Sequence, residues 1–247
     1  MRKSVIVTGA SSGIGFAIAK HFIEQGIQVT LNAANPERLQ KAFHSLGTPA
    51  NATYYAGDVS RLETGQKLAA LTVEKFGRID ALINNAGVFA PKPFLEVKES
   101  DLERFWKINL KGTYFTTQAV LPQMLQQQSG TIINIGTVLV DHAIAGFHAS
   151  APVTSKGGIH ALTKQLAAEF GAKNIRVNTI APGIIRSPLQ DKMGVEDADK
   201  LAGLHLLNRI GEGSDIAATA YHLLHSNFTT GEIINVDGGH VAGHLFQ

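Results

Sequence analysis

Residues Val7 to Gly15 read VTGASSGIG, and they join a β-branched run at 4–8 to an apolar pattern of helical period. In such a strand-turn-helix context each glycine has a separate use. Gly9 permits a tight turn, Gly13 lets the backbone approach a pyrophosphate, and Gly15 allows the helix to pack closely on the strand. The amino end of the helix adds N–H donors and the positive end of a dipole. The stretch therefore predicts a phosphate-binding turn, with an ordinary βα turn as the alternative.

Seven short β-branched runs alternate with segments of helical period along the chain. The runs are 4–8, 28–32, 52–57, 79–84, 131–136, 174–180 and 232–238. This alternation predicts right-handed βαβ crossovers and a parallel sheet, and the scarcity of charge in the runs fits a sheet covered on both faces. We expect a single α/β domain over residues 1–247, with a Rossmann-like, doubly wound, seven-stranded parallel sheet in three αβα layers.

The composition is that of a globular protein, with 247 residues, 44% hydrophobic and 17% charged, and a net charge of +2 at pH 7. No apolar run approaches the roughly 20 residues of a transmembrane helix, and the start MRKSVIVTGA shows no secretory leader. We therefore expect a cytoplasmic protein without membrane attachment. Scattered basic residues argue against nucleic acid as a partner. The absence of cysteine excludes zinc-thiolate sites, and we expect no metal site.

A second motif follows the fourth run, where the chain reads Asn84-Asn85-Ala86-Gly87. Together with the spacing Thr-Gly-x-x-x-Gly-x-Gly of the first turn, it resembles the short-chain dehydrogenase/reductase family, and the resemblance covers nearly the whole chain. Two late stretches, Arg209-Ile210-Gly211 and VDGGH at 236–240, are similar to later signatures of that family. The resemblance implies an oxidoreductase that transfers a hydride between NADP or NAD and a small carbonyl or alcohol.

The resemblance also assigns roles to individual residues. Asp58 in GDVS is similar to the family's adenine-contacting aspartate, and Pro182-Gly183 to its turn beside the nicotinamide. A strand-end cap and a bare turn are the ordinary alternatives for these residues. The residues implied in cofactor binding are Gly9, Ser11, Ser12, Gly13, Ile14, Gly15, Asp58, Val59, Asn85, Ala86, Gly87, Lys156, Pro182, Gly183 and Ile185.

The sequence leaves the choice between NADP and NAD open. Ala33 stands where an NAD-preferring member carries an acidic residue, and Ser12 stands where an NADP-preferring member can carry Arg or Lys. The missing carboxylate removes repulsion against a 2′-phosphate, and Arg38 lies about one turn further on. These observations favour NADP over NAD, although Arg38 is equally explained as a solvated helix residue.

The catalytic half departs from the family pattern at one position. In the family a tyrosine hydroxyl moves the proton, a lysine four residues later holds the ribose, and a serine after the fifth strand binds the substrate oxygen. Lys156 matches the lysine, Thr137 the serine and Asn109 the active-site asparagine, but Pro152 stands at the tyrosine position. Proline is tolerated in the first turn of a helix, for which Ser150 is the expected N-cap.

The missing phenol leaves two outcomes open, either slow turnover supported by proximity and cofactor positioning or transfer of the proton by another group. The four tyrosines, at 54, 55, 114 and 221, all lie outside the stretch from Thr137 to Lys156. Nearby candidates are His142, His148, Thr154 and Ser155. We select His148 because imidazole titrates near neutral pH and this loop is expected to cover the nicotinamide. The predicted catalytic set is Asn109, Thr137, Lys156 and His148.

Two other classes of protein fit parts of the pattern. One is a catalytically silent NAD(P)-binding sensor, or a non-catalytic partner in a mixed oligomer. Retention of Asn109, Thr137 and Lys156 together favours the enzyme, because a silent protein has no catalytic need for all three. The other is a structural domain that binds no cofactor, which the intact VTGASSGIG disfavours.

The remaining predictions concern the substrate and the assembly. The excursion from Arg186 to Gly213 is expected to cover the site, and its apolar residues favour a small substrate with an apolar part. Those residues are Leu189, Met193, Leu201, Leu204 and Leu206. We also expect a homo-oligomer, a tetramer, in which helices over Leu102–Gln127 and Val153–Phe170 pair across a dimer axis.

Overall fold

The computed structural model describes residues 2–188 and 197–243 of the chain. Its seven strands form one parallel sheet in the order β3-β2-β1-β4-β5-β6-β7. The strands are β1 (Ser4–Val7), β2 (Gln28–Ala33), β3 (Ala52–Ala56), β4 (Ala81–Asn84), β5 (Gly130–Ile135), β6 (Ile175–Pro182) and β7 (Ile233–Val236). The predicted fold, a doubly wound seven-stranded parallel sheet, is confirmed.

Helices cover both faces of the sheet. The α-helices of the described residues are α1 (Gly13–Glu24), α2 (Pro36–Ser45), α3 (Leu62–Phe76), α4 (Glu99–Phe105), α5 (Gly112–Gln127), α6 (Ser150–Phe170) and α7 (Gly213–His225). Short 3₁₀ segments lie at Phe94–Glu96, Val138–Val140, Gly171–Lys173 and Ala198–Leu204.

The alternation of side chains along β1 divides the core into two layers. Val5 and Val7 are buried in one hydrophobic cluster with Phe22 of α1 and Ile216 of α7. Ile6, between them, is buried in a second cluster on the opposite face, which also holds residues of α3, α5 and α6. Because successive strand side chains point to opposite faces, a strand apolar throughout is stable only between two helical layers.

The strand order places a crevice at the carboxyl end of β1. The chain adds β2 and β3 on one side of β1, then crosses over to add β4 to β7 on the other side. The connections leaving β1 and β4 therefore diverge, and open α/β sheets bind ligands at such a switch point. Both motifs singled out in the sequence follow these two strands.

Two predicted helices differ in detail from the structure. The expected helix over Leu102–Gln127 is interrupted by a π-helical segment, Trp106–Lys111, between α4 and α5. The other begins at Ser150, so Ala149 occupies the N-cap position and the predicted cap by Ser150 is wrong. Ser150 already has helical backbone, where its side chain cannot act as the N-cap acceptor. Pro152 lies in the first turn, as predicted.

Among the residues that the structure describes, no helix is both long and apolar enough to cross a membrane.

Candidate functional site

One cavity of about 600 Å³ lies at the carboxyl edge of the sheet. Its wall combines the first turn, the loop after β4, the loop after β5, α6 and the turn after β6. The lining residues among the predicted site residues are Gly9, Ser12, Gly13, Ile14, Asn85, Ala86, Gly87, Thr137, Lys156, Pro182, Gly183 and Ile185. The structure thus brings together residues that are more than 170 positions apart in the sequence.

The first turn has the backbone of a phosphate-binding cradle. Gly9 and Gly13 have positive φ angles of 65° and 55°, a region that L side chains rarely adopt. A Cβ on Gly9 would lie 2.8 Å from Cα of Ala86, and a Cβ on Gly15 would lie 2.5 Å from the carbonyl oxygen of Gly9. Backbone without side chains therefore lines the cavity at Gly9 and Gly13. No larger residue fits at Gly9 or Gly15 unless neighbouring atoms move.

The amino end of α1 opens onto this cradle. Ser12 is the N-cap residue, and its side chain makes no capping hydrogen bond. Ser12, Gly13 and Ile14 all line the cavity. An uncapped helix amino end presents N–H donors and a positive dipole, which together suit the pyrophosphate of a dinucleotide. The cradle thus fits the cofactor that the sequence implies.

Hydrogen bonds fasten the loop after β4 to the same turn. The hydroxyl of Thr8 accepts from the backbone N–H groups of Asn85 and Ala86, each at 3.0 Å. The Asn85 side chain donates to the carbonyl oxygens of Thr8 at 3.0 Å and Gly9 at 3.2 Å. These bonds explain why the two motifs occur together in the sequence.

Four of the predicted cofactor-binding residues lie behind or beside the wall rather than in it. Ser11 and Gly15 belong to the first turn but do not line the cavity among the described residues. Val59 is buried and packs against Gly112. A Cβ added to Gly112 would lie 2.7 Å from Cγ2 of Val59. Asp58 accepts from the N–H of Ser60 at 2.9 Å. Although burial raises the pKa of Asp58, the Ser60 hydrogen bonds and the charge of Lys107 outweigh it and hold the pKa below its ordinary value.

Lys156 reaches the cavity from α6. Its side chain is 8% exposed, and Nζ donates to the carbonyl oxygen of Ile135 at 2.6 Å. Burial disfavours the charged amine and lowers the pKa of Lys156 from 10.5 to about 8. Thr137, across the wall, caps the 3₁₀ segment Val138–Val140, and its Oγ1 accepts from the N–H of Leu139 at 3.3 Å.

Asn109 lies in the π-helical segment and is fully buried. Its amide accepts from the N–H of Val88 at 2.8 Å and donates to the carbonyl oxygen of Val88 at 3.0 Å and to Oγ of Ser155 at 2.9 Å. The side chain therefore joins the loop after β4 to α6, and it does not line the cavity among the described residues. π-helical turns often occur at functional positions. Here the turn places the Asn109 amide within hydrogen-bond distance of both Val88 and Ser155.

Pro152 is buried one helical turn before Lys156. Its carbonyl oxygen accepts from Oγ of Ser155 at 2.7 Å, which extends the network of Asn109 by one residue. None of the four tyrosines lines the cavity within the described part of the chain, since Tyr54 and Tyr55 lie in β3, Tyr114 in α5 and Tyr221 in α7.

The histidine predicted to carry the proton is not in the wall. His148 is exposed, and its backbone carbonyl accepts from the N–H of Lys92 at 2.6 Å. The imidazole that lines the cavity belongs instead to His240, which is 2% exposed. Sequence reasoning missed it because its place depends on β7 pairing beside β6. The sequence feature that pointed to His240 was its position directly after the two glycines of VDGGH.

The far part of the cavity is apolar. Phe89 and Phe147 stack with ring centroids 6.1 Å apart and both line it, together with Leu201 and Leu204 from the excursion. Leu206 does not line it among the described residues. Leu189 and Met193, also predicted to cover the site, lie outside the described residues. No group of three or more His, Asp or Glu side chains in residues 2–188 and 197–243 could hold a metal ion.

A parallel doubly wound sheet with a glycine cradle at its switch point defines the class of dinucleotide-fold α/β proteins. A family model described as enoyl-(acyl carrier protein) reductase matches residues 9–241 of the chain. The chain therefore belongs to the short-chain dehydrogenase/reductase family of oxidoreductases, as the sequence motifs predict.

Known proteins are similar over nearly the full length. A 3-oxoacyl-(acyl-carrier-protein) reductase, FabG, of Thermotoga maritima is 33% identical over 240 residues, which cover 96% of this chain and 97% of that protein. The (2S)-[(R)-hydroxy(phenyl)methyl]succinyl-CoA dehydrogenase subunit BbsD of Thauera aromatica is 33% identical over 238 residues, which cover 95% of this chain and 94% of that protein. A solved structure of ElxO with NADP bound has a TM-score of 0.91 at 30% identity, covering 98% and 100%. A variant of ElxO with one tyrosine changed to phenylalanine, with NADPH bound, matches equally well.

Proposed function

We propose that this protein is an NADP- or NAD-dependent oxidoreductase that transfers a hydride between the nicotinamide and a small carbonyl or alcohol substrate. The observation that carries the proposal is one continuous cavity, which runs from the uncapped amino end of α1 to Lys156 and Thr137. A dinucleotide held at the first end would extend to the residues that act on a substrate at the other. The cofactor is a nicotinamide dinucleotide, and when bound it supplies or accepts the hydride.

The residues of this chain hold the two reactants in place. Backbone N–H groups of Ser12, Gly13 and Ile14 bind the pyrophosphate, and the amine of Lys156 binds the ribose. Pro182 and Gly183 lie beside the nicotinamide, and the hydroxyl of Thr137 orients the substrate oxygen. Asn109 acts through its neighbours, because its amide is satisfied by Val88 and Ser155.

The end of β2 supports NADP as the preferred cofactor. Ala33 is buried there and Ala34 is exposed, so no carboxylate stands where a 2′-phosphate would lie. Arg38 is exposed on α2, whose N-cap Asn35 accepts from the Arg38 N–H at 2.8 Å. The NADP-bound and NADPH-bound ElxO structures agree with this choice.

The relatives and the apolar wall together suggest the substrate class. FabG is named for an acyl group on a carrier protein and BbsD for an acyl group on CoA, so both names describe acyl thioesters. The stacked Phe89 and Phe147 suit an apolar acyl chain. We therefore propose a carbonyl on a small apolar acyl thioester as the substrate, and a proton-transfer group other than the usual phenol, because Pro152 stands at that position.

A cofactor titration tests the first part of this proposal. NADPH and NADH are titrated separately into the purified protein, and the fluorescence of the reduced nicotinamide reports binding. We expect micromolar affinity for NADPH and weaker affinity for NADH. Arg38→Ala should weaken NADPH binding by about tenfold, the worth of one charge-assisted contact, and leave NADH binding unchanged. Binding of neither cofactor at millimolar concentration would contradict the proposed function.

A further inference from the structure

We propose that His240 is the catalytic acid and base of this site, in place of a tyrosine hydroxyl. The inference rests on the proposed function and names the group that transfers its proton. His240 follows β7 directly after Gly238 and Gly239, whose positive φ angles of 58° and 87° turn the chain back over the sheet edge. A Cβ on Gly239 would lie 2.9 Å from Cβ of Leu206, so this turn is tightly packed.

The position of His240 lies between the two segments expected to hold the substrate. On one side its ring meets that of His142 edge-on, with centroids 5.1 Å apart. His142 follows the 3₁₀ segment that Thr137 begins, and its N–H donates to the carbonyl oxygen of Val138 at 3.0 Å. His240 is thus tied to the segment that presents the Thr137 hydroxyl to the substrate.

On the other side, His240 packs against His205, with centroids 5.6 Å apart. The Nε2 of His205 accepts from the N–H of Ile184 at 3.2 Å, which anchors that ring to the turn of Pro182 and Gly183. Thr137 and Gly183 line the same cavity as His240, and both ring nitrogens of His240 are buried, so the imidazole must turn towards this cavity to reach a substrate carbonyl.

The chemistry of the described wall leaves few proton carriers. Lys156 and His240 are the lining side chains there that carry an ionisable nitrogen. Lys156 already donates to Ile135 at 2.6 Å and is expected to hold the ribose. Imidazole both gives and takes a proton near pH 7, so it can serve hydride transfer in either direction.

The step balances as an ordinary carbonyl reduction. The carbonyl carbon gains a hydride from the reduced nicotinamide, while the imidazolium N–H of His240 gives its proton to the carbonyl oxygen, and an alcohol forms. The neutral imidazole then regains a proton from solvent. Alcohol oxidation runs the same transfers in reverse.

The charged groups near His142, His205 and His240 have hydrogen-bond or ion-pair partners of their own. The Asp237 carboxylate accepts from the N–H groups of Gly239 at 3.0 Å and Val241 at 2.9 Å. Arg209 pairs with Asp215 at 2.9 Å. Burial lowers the pKa of His205, outweighing the opposing effect of Asp237, so His205 is the neutral neighbour of the cluster. Lys156 is the remaining cation of the described wall.

The test compares His240→Gln with His222→Gln, a matched change at an exposed position of α7. We expect His240→Gln to lower kcat by about 10²- to 10⁴-fold, the worth of one general acid. Its NADPH affinity should stay within about threefold of the unmodified protein, and the fall of kcat with rising pH should disappear. In His240→Ala, added free imidazole should raise kcat at least tenfold above the value of the variant alone. His222→Gln should change none of these.

A measurement on the unmodified protein guards against variants that fail to fold. In histidine-labelled protein, the NMR signals of the His240 ring nitrogens should shift when NADPH and a substrate analogue bind. Ring signals that do not shift, or a His240→Gln enzyme with normal kcat, overturn the inference. The same loss in His148→Gln alone would assign the proton to His148. If the unmodified protein binds NADPH but reduces no carbonyl, the proposed function itself fails, and this inference with it.

Discussion

Pro152 lies in the first turn of α6, at the position where the family resemblance predicts a tyrosine. Proline is allowed in the first turn because its missing N–H would be unpaired there in any case. The sequence was sufficient to predict this placement. It was not sufficient to predict the contact of Ser155 with the Pro152 carbonyl at 2.7 Å, because that bond depends on Asn109 approaching from another element.

A phenol placed at this position should be able to take over the proton transfer. We predict that Pro152→Tyr, made in the His240→Gln variant, increases carbonyl reduction by about 10- to 1000-fold, within the range of a single acid, and adds little when His240 is in place. Pro152→Phe is the matched control, because it adds the same ring without the hydroxyl and should give no gain. Steady-state kinetics with NADPH measures both variants. Equal rates for the Pro152→Tyr and Pro152→Phe variants would show that the phenol hydroxyl does not contribute to catalysis.

At neutral pH, the buried charge of Lys156 should lower the free energy of unfolding. Its pKa falls from 10.5 to about 8 on folding, so below pH 8 the buried amine is charged at a cost of about 3 kcal/mol. Between pH 8 and 10.5 the folded state binds fewer protons than the unfolded state, and stability rises with pH. Allowing about 1 kcal/mol for the lost hydrogen bond to Ile135, Lys156→Met should stabilise the cofactor-free protein by about 2 kcal/mol at pH 7.

Urea denaturation at several pH values measures this effect. The gain in the free energy of unfolding should be constant below pH 7 and shrink as the pH rises from about 8 towards 10.5. A gain that does not change with pH would mean that it comes from packing and not from the buried charge.

At the scale of elements, local patterns were enough for the sheet and its cradle. The alternation of β-branched runs with helices fixed the strands to within a few residues, and the glycines of the first turn predicted the start of α1. The π-helical segment Trp106–Lys111 was not predictable, because its extra residue serves bonds from Asn109 to Val88 and Ser155, which are remote in the chain.

The close packing of α1 on the cradle yields a test of that element. In Gly15→Ala the new Cβ would lie 2.5 Å from the carbonyl oxygen of Gly9, so the helix must move away from the turn. We expect a loss of about 1–3 kcal/mol in stability and of at least tenfold in NADPH affinity. Gly171→Ala is the control, because no atom lies within 4 Å of its added Cβ and its φ is −58°. Unchanged affinity in Gly15→Ala would refute the cradle as the phosphate site.

At the scale of the whole molecule, strand order determines which residues meet. His240 reaches the wall because β7 pairs with β6, and no local pattern carries that information. His148 illustrates the converse, since it is only eight residues from Lys156 in the chain yet lies outside the wall. Sequence motifs therefore predicted most of the cavity wall around the first turn and missed His240.

The surface of α4 and the π-helical segment supports the predicted tetramer. Leu102 and Trp106 are 40% and 53% exposed, and Tyr114 in α5 is 51% exposed. Burying such side chains between subunits would stabilise an assembly. Light scattering at micromolar concentration should give the mass of four chains, and Trp106→Arg with Tyr114→Arg should reduce it. Ser45→Arg, at an exposed position of α2, should not. A monomer of the unmodified protein would contradict the assembly.

Isotopic labelling follows the proposed hydride from the nicotinamide to the product. The purified protein is incubated with a 3-oxoacyl thioester and NADPH that carries deuterium on both faces of C4 of the nicotinamide, and the product is analysed by mass spectrometry. We expect a hydroxyacyl thioester with one deuterium on the carbinol carbon, formed in proportion to NADPH consumed. Tight NADPH binding with no deuterium in any product, across a panel of small ketones, aldehydes and acyl thioesters, would contradict it.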